Sequence, residues 1–269
     1  VEARRRWTKL MVARIETGEP YIMFTDRVAE HNPQGYKNHN LSVTQTNICS
    51  EITLHSDSRH SFICCLSSLN LVRFEDWENS DLVEVATVFL NAVLDEFIFK
   101  AKSIVGLENV VRHAEKGRAI GIGVLGYHTL LQEKKIPFDS FDTMMLNSRI
   151  FNNIKTNSHK ASGKLAKQYG EPLWCEGSGL YNSHLTAVAP TRSNSIISGG
   201  VSAGIEAIIR NVYLDKTAKG TFLEKNPTLE RLLEEKGKNS DKVWNDIIDN
   251  DGSVSDLSFL SDDEKEVFL

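Results

Sequence analysis

This chain of 269 residues has no apolar run near the roughly 18 residues needed to cross a bilayer, which excludes a transmembrane helix. It shows no secretory-signal pattern. Its four cysteines are too few for a disulfide scaffold, and none stands in zinc-finger spacing. Neither sign of charge dominates. A net charge of −5 creates no broad field for a polyanion, so neither nucleic acid nor a membrane surface is expected as partner. Internal repeats and low-complexity segments are absent. This cysteine usage suits a reducing, cytoplasmic setting, where a thiol is catalytic, redox-active or simply buried.

What is present reads as α/β, with strands alternating with long helices and at least partly parallel. Residues 1–16 read as a helix closed by Thr17-Gly18, with Trp7, Leu10, Met11 and Ile15 on one stripe. Arg4 to Arg6 read as its solvated face. "YIMFT" (21–25) reads as a short buried strand and "SFICCLSSLNL" (61–71) as a strand running into a loop. The pattern predicts a helix over 81–100 with a stripe of Leu82, Val85, Ala86, Phe89, Val93 and Phe97, its other faces also apolar. "RAIGIGVLGY" (118–127) predicts a strand or tight turn leading into a helix. A long helix over 143–169 is stopped by Gly170 and Pro172. "LTAVAP" (185–190) reads as a further strand.

The glycines of "GIGVLG" (Gly121, Gly123, Gly126) lack the long apolar strand that precedes a dinucleotide fingerprint, so close helix–strand packing explains them better. Cys175 in "PLWCEG" reads as a buried structural thiol. Cys64 and Cys65 are neighbours that point apart in a strand, so a bond between them would be strained. The acidic stretch "DNDGSVSD" fails calcium-loop spacing.

"TQTNICSEI" (44–52) is less ordinary. It puts an amide, a thiol and a carboxylate at every second position: Asn47, Cys49 and Glu51. In an extended segment all three leave one face. A core strand would not place Glu there, because burying an unpaired carboxylate costs several kcal/mol. A functional cluster and a solvated strand face with one stray cysteine both fit that spacing. A Cys–His hydrolase with His55 or His60 as base is the competing enzyme reading, but no protease-like signature surrounds Cys49. A thiolate nucleophile also wants a cationic neighbour, and Glu51 is anionic. The loop "APTRSNSIISGGVSAG" (189–204) follows a strand and is rich in hydroxyls and glycine. That suits anion binding as well as a plain connection.

Taken together, "TNICSEI", "ICCLSSLNL", "RAIGIGVLGYHTLL" and "APTRSNSIISGGVSAGIE" resemble, in order, segments of the catalytic large subunit of class I ribonucleotide reductase. "NDGSVSDLSFLSDDEKEVF" resembles phage-like members, and the resemblance runs essentially from Val1 to Leu269. It implies part of a ten-stranded α/β barrel with a finger loop inside, here incomplete. It implies that Cys49 becomes a thiyl radical and abstracts the 3′ hydrogen of a ribonucleoside diphosphate. Glu51 is then the base for the 3′ hydroxyl, Asn47 holds the substrate, and Cys64 is half of the reducing dithiol. Pro190, Thr191, Arg192, Ser193 and Asn194 would hold the diphosphate, although Arg192 stands where relatives often carry an acid.

The same resemblance implies no cofactor on this chain. The radical is expected from a metal-containing small subunit, and electrons from thioredoxin or glutaredoxin. The family's upstream redox cysteine, stacked tyrosines and C-terminal cysteine pair find no match in these residues. The chain starts at Val1 inside a helical pattern, and Ser261-Asp-Asp-Glu264 opens a helix just before its end. A fragment or one piece of a split subunit is therefore expected, inactive alone and needing a polypeptide that carries the missing barrel half. Within the family, a non-catalytic remnant with an assembly or regulatory role is the alternative.

Overall fold

Parallel pairing between two short strands organises the centre of the molecule. The structure, a computed structural model, describes residues 1–217 and 220–268. In chain order it forms α1 (Glu2–Thr17), α2 (Thr25–Glu30), α3 (Gln34–Asn38), β1 (Leu66–Asn70), α4 (Phe74–Trp77) and α5 (Leu82–Ala101). Then come α6 (Glu108–Gly117), β2 (Gly121–Leu125), α7 (Tyr127–Glu133), α8 (Phe141–Tyr169) and α9 (Arg192–Ile197). A hairpin of β3 (Val212–Thr217) and β4 (Gly220–Lys225) leads to α10 (Pro227–Glu235), α11 (Asp241–Asp249) and α12 (Asp262–Val267).

β1 and β2 pair in parallel from Leu66↔Gly121 to Asn70↔Leu125. The extended segment around Thr186 joins β2 through a parallel bridge, Ile122↔Thr186. The glycines of β2 make this approach possible. A Cβ on Gly123 would sit 2.3 Å from the Ala187 carbonyl oxygen, so only glycine lets the two backbones come this close. Among the described residues the sheets are two-stranded and no barrel closes, which agrees with an incomplete barrel.

α5 and α8 pack on this sheet over a core that includes Leu69, Leu90, Leu94, Ile122, Val124, Ile150 and Ile154. Each such side chain contributes about 1.5–3 kcal/mol on burial. α8 begins at Ser140, whose hydroxyl accepts from Thr143 N at 3.2 Å, and ends at Gly170 with φ 84°. Lys160 and Lys164 of α8 both reach Glu84 of α5, the latter at 2.5 Å.

The α5 stripe differs from the expectation. Val83, Leu90, Leu94 and Ile98 are buried, together with Thr87 and Asn91, whereas Val85, Phe89 and Val93 are exposed. Thr87 Oγ1 donates to Val83 O at 2.8 Å, and Asn91 Nδ2 donates to Thr87 O at 2.9 Å. These local bonds let two polar residues occupy the inner face. Within α8, Ile154, Ala161 and Leu165 are buried, while Met144 is exposed. α1 is helical as predicted and closes at Gly18, but Trp7 and Ile15 are exposed and none of its residues is buried. "YIMFT" is not a strand: residues 21–24 are irregular, Thr25 opens α2, and Tyr21 and Phe24 are exposed.

A second cluster, with Trp244, Leu229, Leu233, Ile247 and Val254, forms the C-terminal unit. Its α12 opens with a capping box: Ser261 Oγ accepts from Glu264 N, and Glu264 Oε2 accepts from Ser261 N at 2.9 Å. No helix among the described residues is long and apolar enough to cross a membrane.

Candidate functional site

Residues 44–52 are not extended. Ser50 N donates to Asn47 O at 3.0 Å, and Ser50 takes a left-handed φ of 70°, so the chain turns back between Asn47 and Glu51. The Asn47 side chain closes this turn. Its Oδ1 accepts from Ile52 N at 2.9 Å and its Nδ2 donates to Glu51 Oε2 at 2.6 Å. The three side chains therefore share a turn rather than a strand face. Cys49 is exposed at the tip, while Asn47 and Glu51 are half-buried at its base.

A floor of Tyr36, Val43, Ile52, Leu54 and Trp174 anchors the loop's return leg. Behind Glu51 lies a cavity of about 30 Å³, lined also by Cys65, Leu66, His184 and Thr186. That is roughly the volume of one or two water molecules.

Cys64 is exposed at the N-terminal end of β1, and Cys65 beside it is buried, with Sγ donating to Leu90 O at 3.5 Å. The two thiols point apart, as expected of neighbours. Burial pushes the Cys64 thiol above its ordinary range, and the Glu51 carboxylate and Cys49 thiol push it further. The structure thus brings Asn47, Cys49, Glu51 and Cys64 into one electrostatic neighbourhood. Cys175 is buried, its thiol pushed up to about 12 chiefly by that burial. It is inert packing, as its sequence context implies.

Thr191 carries the strain in the 190–194 loop. It adopts φ 53° and ψ 21°, rare for a β-branched residue and costing of order 1–3 kcal/mol. Two bonds hold it there. Its Oγ1 accepts from Gly204 N at 2.8 Å, and its carbonyl accepts from Ser195 N at 2.8 Å. The side chains of Pro190, Arg192, Ser193 and Asn194 are exposed around this bend.

The following segment is tied to the sheet. Ser202 N donates to Thr129 Oγ1 at 2.8 Å, and Thr129 N donates to Ser202 Oγ at 3.1 Å. Asn70 Nδ2 donates to Ser198 O at 3.2 Å. The loop therefore sits past the C-terminal ends of the parallel strands, where ligands of α/β sheets commonly bind. Cys64 lies just beyond the other end of β1, a strand that by itself spans about 13 Å. No hydrogen bond among the described residues joins the two groups.

The sequence reading missed Asn70, Thr129 and Ser202, whose partners lie 73 to 128 positions away. It also treated His55 and His60 only as candidate bases for Cys49. Both rings are engaged elsewhere: His55 with Ser42 O and Asp57, His60 with Asp57 and Lys116. Neither is offered to Cys49.

The chain thus carries an exposed thiol on a turn clamped by an amide–carboxylate pair, and a second exposed thiol just before a parallel strand of an α/β scaffold. The family model for the ribonucleotide reductase barrel domain matches residues 1–174 and 172–269. The chain belongs to that family. It is 39% identical over its full length to the ribonucleoside-diphosphate reductase large subunit of Invertebrate iridescent virus 3, covering 43% of that protein. It is 36% identical to the putative large subunit of Frog virus 3 (isolate Goorha), covering 47% of it. The class Id ribonucleotide reductase alpha subunit of Actinobacillus ureae superposes with a TM-score of 0.92 at 44% identity, over 99% of this chain and 49% of that one. The chain therefore spans less than half the length of these relatives.

Proposed function

We propose that this chain supplies the part of a reductase barrel that holds the radical cysteine and reduces ribonucleoside diphosphates to their deoxy forms. The observation that carries the reading is the Asn47–Glu51 bond at 2.6 Å, which closes a turn with Cys49 at its tip. As a thiyl radical, Cys49 would take the 3′ hydrogen and become a thiol. Glu51 would accept the 3′ hydroxyl proton, its orientation set by Asn47, while the 2′ hydroxyl takes a proton from one thiol of the reducing pair and leaves as water. Holding base and hydrogen acceptor against the same sugar edge removes much of the orientational cost.

The other thiol hydrogen of that pair would go to the 2′ carbon, and Cys64 and its partner thiol would become a disulfide. The electrons come from that dithiol, and the hydrogen held by Cys49 returns to the 3′ position. The second thiol would come from the polypeptide carrying the remaining barrel half. The loop from Pro190 through Thr191, Arg192 and Ser193 to Asn194 would take the diphosphate on backbone amides and on the Ser193 and Asn194 side chains. A metal-containing small subunit would supply the radical, and thioredoxin or glutaredoxin would regenerate the dithiol.

The experiment is co-expression with the remaining barrel half and the small subunit, followed by assay of diphosphate reduction. Turnover that needs all the polypeptides is expected. Unchanged turnover with Cys49→Ser, or turnover by this chain alone, contradicts the reading.

A further inference from the structure

The turn joining the Cys49 and Cys64 legs carries a side-chain cluster that the proposed reaction does not use. His55, Asp57 and His60 project ligand atoms that all lie within 4.8 Å of one another. His55 Nε2 is 3.3 Å from Asp57 Oδ2, and His60 Nδ1 is 3.0 Å from Asp57 Oδ1. Both rings are buried in T-shaped contact with Trp174, while Asp57 opens to solvent. His113, 2% exposed, packs on the same Trp174, and its Nε2 has no hydrogen-bond partner among the described residues.

Hydrogen-bond bookkeeping makes this cluster unusual. His55 Nδ1 lies 2.8 Å from the Ser42 carbonyl oxygen, a pure acceptor, so Nδ1 carries the ring proton. In the neutral ring Nε2 is then a lone pair facing a carboxylate oxygen at 3.3 Å. Two acceptors at that separation need something positive between them, either a second proton or a cation. Two ligands on a tetrahedral zinc ion, each bonded at about 2.0–2.1 Å, stand about 3.3 Å apart.

We propose that His55 Nε2, the Asp57 carboxylate and His60 Nδ1 form a site for a divalent first-row cation that favours imidazole and carboxylate ligands, zinc above all. Such an ion would cross-link residues 55, 57 and 60 within the turn, whose backbone α6 already holds through Asn109 Nδ2 donating to Ser58 O at 3.1 Å and Arg112 Nε donating to Arg59 O at 3.2 Å. It would thereby fix the connection between Cys49 and Cys64, a consequence that rests on the proposed function, whereas binding itself does not.

Lys116 is the site's competitor. Its Nζ lies 3.0 Å from His60 Nε2. With the ion on Nδ1, the His60 proton moves to Nε2, and the ammonium must turn away, toward the Trp174 ring centre 5.8 Å from it. Lys116 therefore opposes the ion electrostatically.

The test uses the full chain carrying Cys49→Ser and Cys64→Ser, so that exposed thiols do not bind the probe. Zn²⁺ is titrated by calorimetry and Co²⁺ by visible absorption, with the fold followed by circular dichroism. One ion per chain is expected. Asp57→Asn, at an exposed position, should weaken binding at least about tenfold. Lys116→Met should tighten it about tenfold by removing a unit charge a few ångströms from a dication. Absence of stoichiometric binding in both the starting chain and its Lys116→Met form overturns the proposal. So does binding unaffected by Asp57→Asn, which would leave a proton-bridged turn. Because the readout is metal uptake, either failure leaves the reductase reading untouched.

Discussion

Asn47 Nδ2 and Glu51 Oε2 are 2.6 Å apart across a turn whose tip is Cys49. The same amide accepts from Ile52 N, so one side chain both shapes the loop and aims its carboxylate. Asn47→Ala should therefore act on chemistry more than on stability. In the reconstituted enzyme it should lower kcat about 100-fold or more, the scale of losing a positioned base. Urea unfolding of the chain should shift by only about 1 kcal/mol, the worth of a half-exposed hydrogen bond. Equal losses in kcat for Asn47→Ala and for a distant surface substitution would contradict this role.

Thr191 should reveal itself through its hydroxyl. Thr191→Val keeps the branched shape and the left-handed backbone but loses the bond from Gly204 N. It should cost about 1–2 kcal/mol in unfolding free energy and raise KM for the diphosphate. Thr191→Ser keeps the oxygen and should behave like the parent in both measurements.

Two glycines should respond with opposite signs. Gly123→Ala drives a Cβ to 2.3 Å from the Ala187 carbonyl oxygen, against backbone that cannot turn aside. A loss of about 1–3 kcal/mol or more is expected. Gly163, inside α8, has its nearest neighbour at 3.6 Å, so Gly163→Ala should gain about 1 kcal/mol from helix propensity. Thermal or urea unfolding of the two variants checks both.

Two buried histidines set a pH dependence. Burial lowers His113 and His128 to about 4 from an ordinary value of 6.5. Above pH 6.5 neither ring is protonated in either state and nothing is gained or lost. Below it the unfolded chain takes up protons that the fold refuses until about pH 4, so stability must fall as pH drops through that window. Each ring contributes about 1.4 kcal/mol per pH unit once well inside it. Urea titrations at pH 7, 6 and 5 should show a progressive loss of roughly 3–4 kcal/mol from these two rings, and a flat profile would contradict the neutral burial of both.

These residues also show what was legible in the sequence. α8 and its Gly170 stop, the β2–α7 junction and the α12 capping box follow from local chemistry, and all appear in the structure; Gly121 and Gly123 do serve close packing, but against β1 and the extended segment at Ala187 rather than the expected helix. α5 was legible as a helix but not in its orientation. Both of its faces are apolar, and the buried face contains Thr87 and Asn91, whose backbone bonds cannot be seen in a hydrophobic pattern. The alternation in 44–52 invited an extended reading, yet Asn47 can cap a turn through its own side chain, and here it does. The group Asn47, Cys49, Glu51 and Cys64 was named in advance through family resemblance. The supports at Thr129 and Ser202 were not, because they depend on contacts 73 residues apart. The His-x-Asp-x-x-His spacing at 55–60 is visible in the sequence, but only the fold shows that its three ligand atoms converge.

The central claim is that Cys49 takes the 3′ hydrogen of a ribonucleoside diphosphate. The most direct measurement compares turnover of 3′-deuterated and unlabelled substrate in the complex of this chain, the remaining barrel half and the radical-generating subunit. A slower reaction with the deuterated substrate, and none at all with Cys49→Ser, is the predicted result. Turnover that persists with Cys49→Ser would contradict the account.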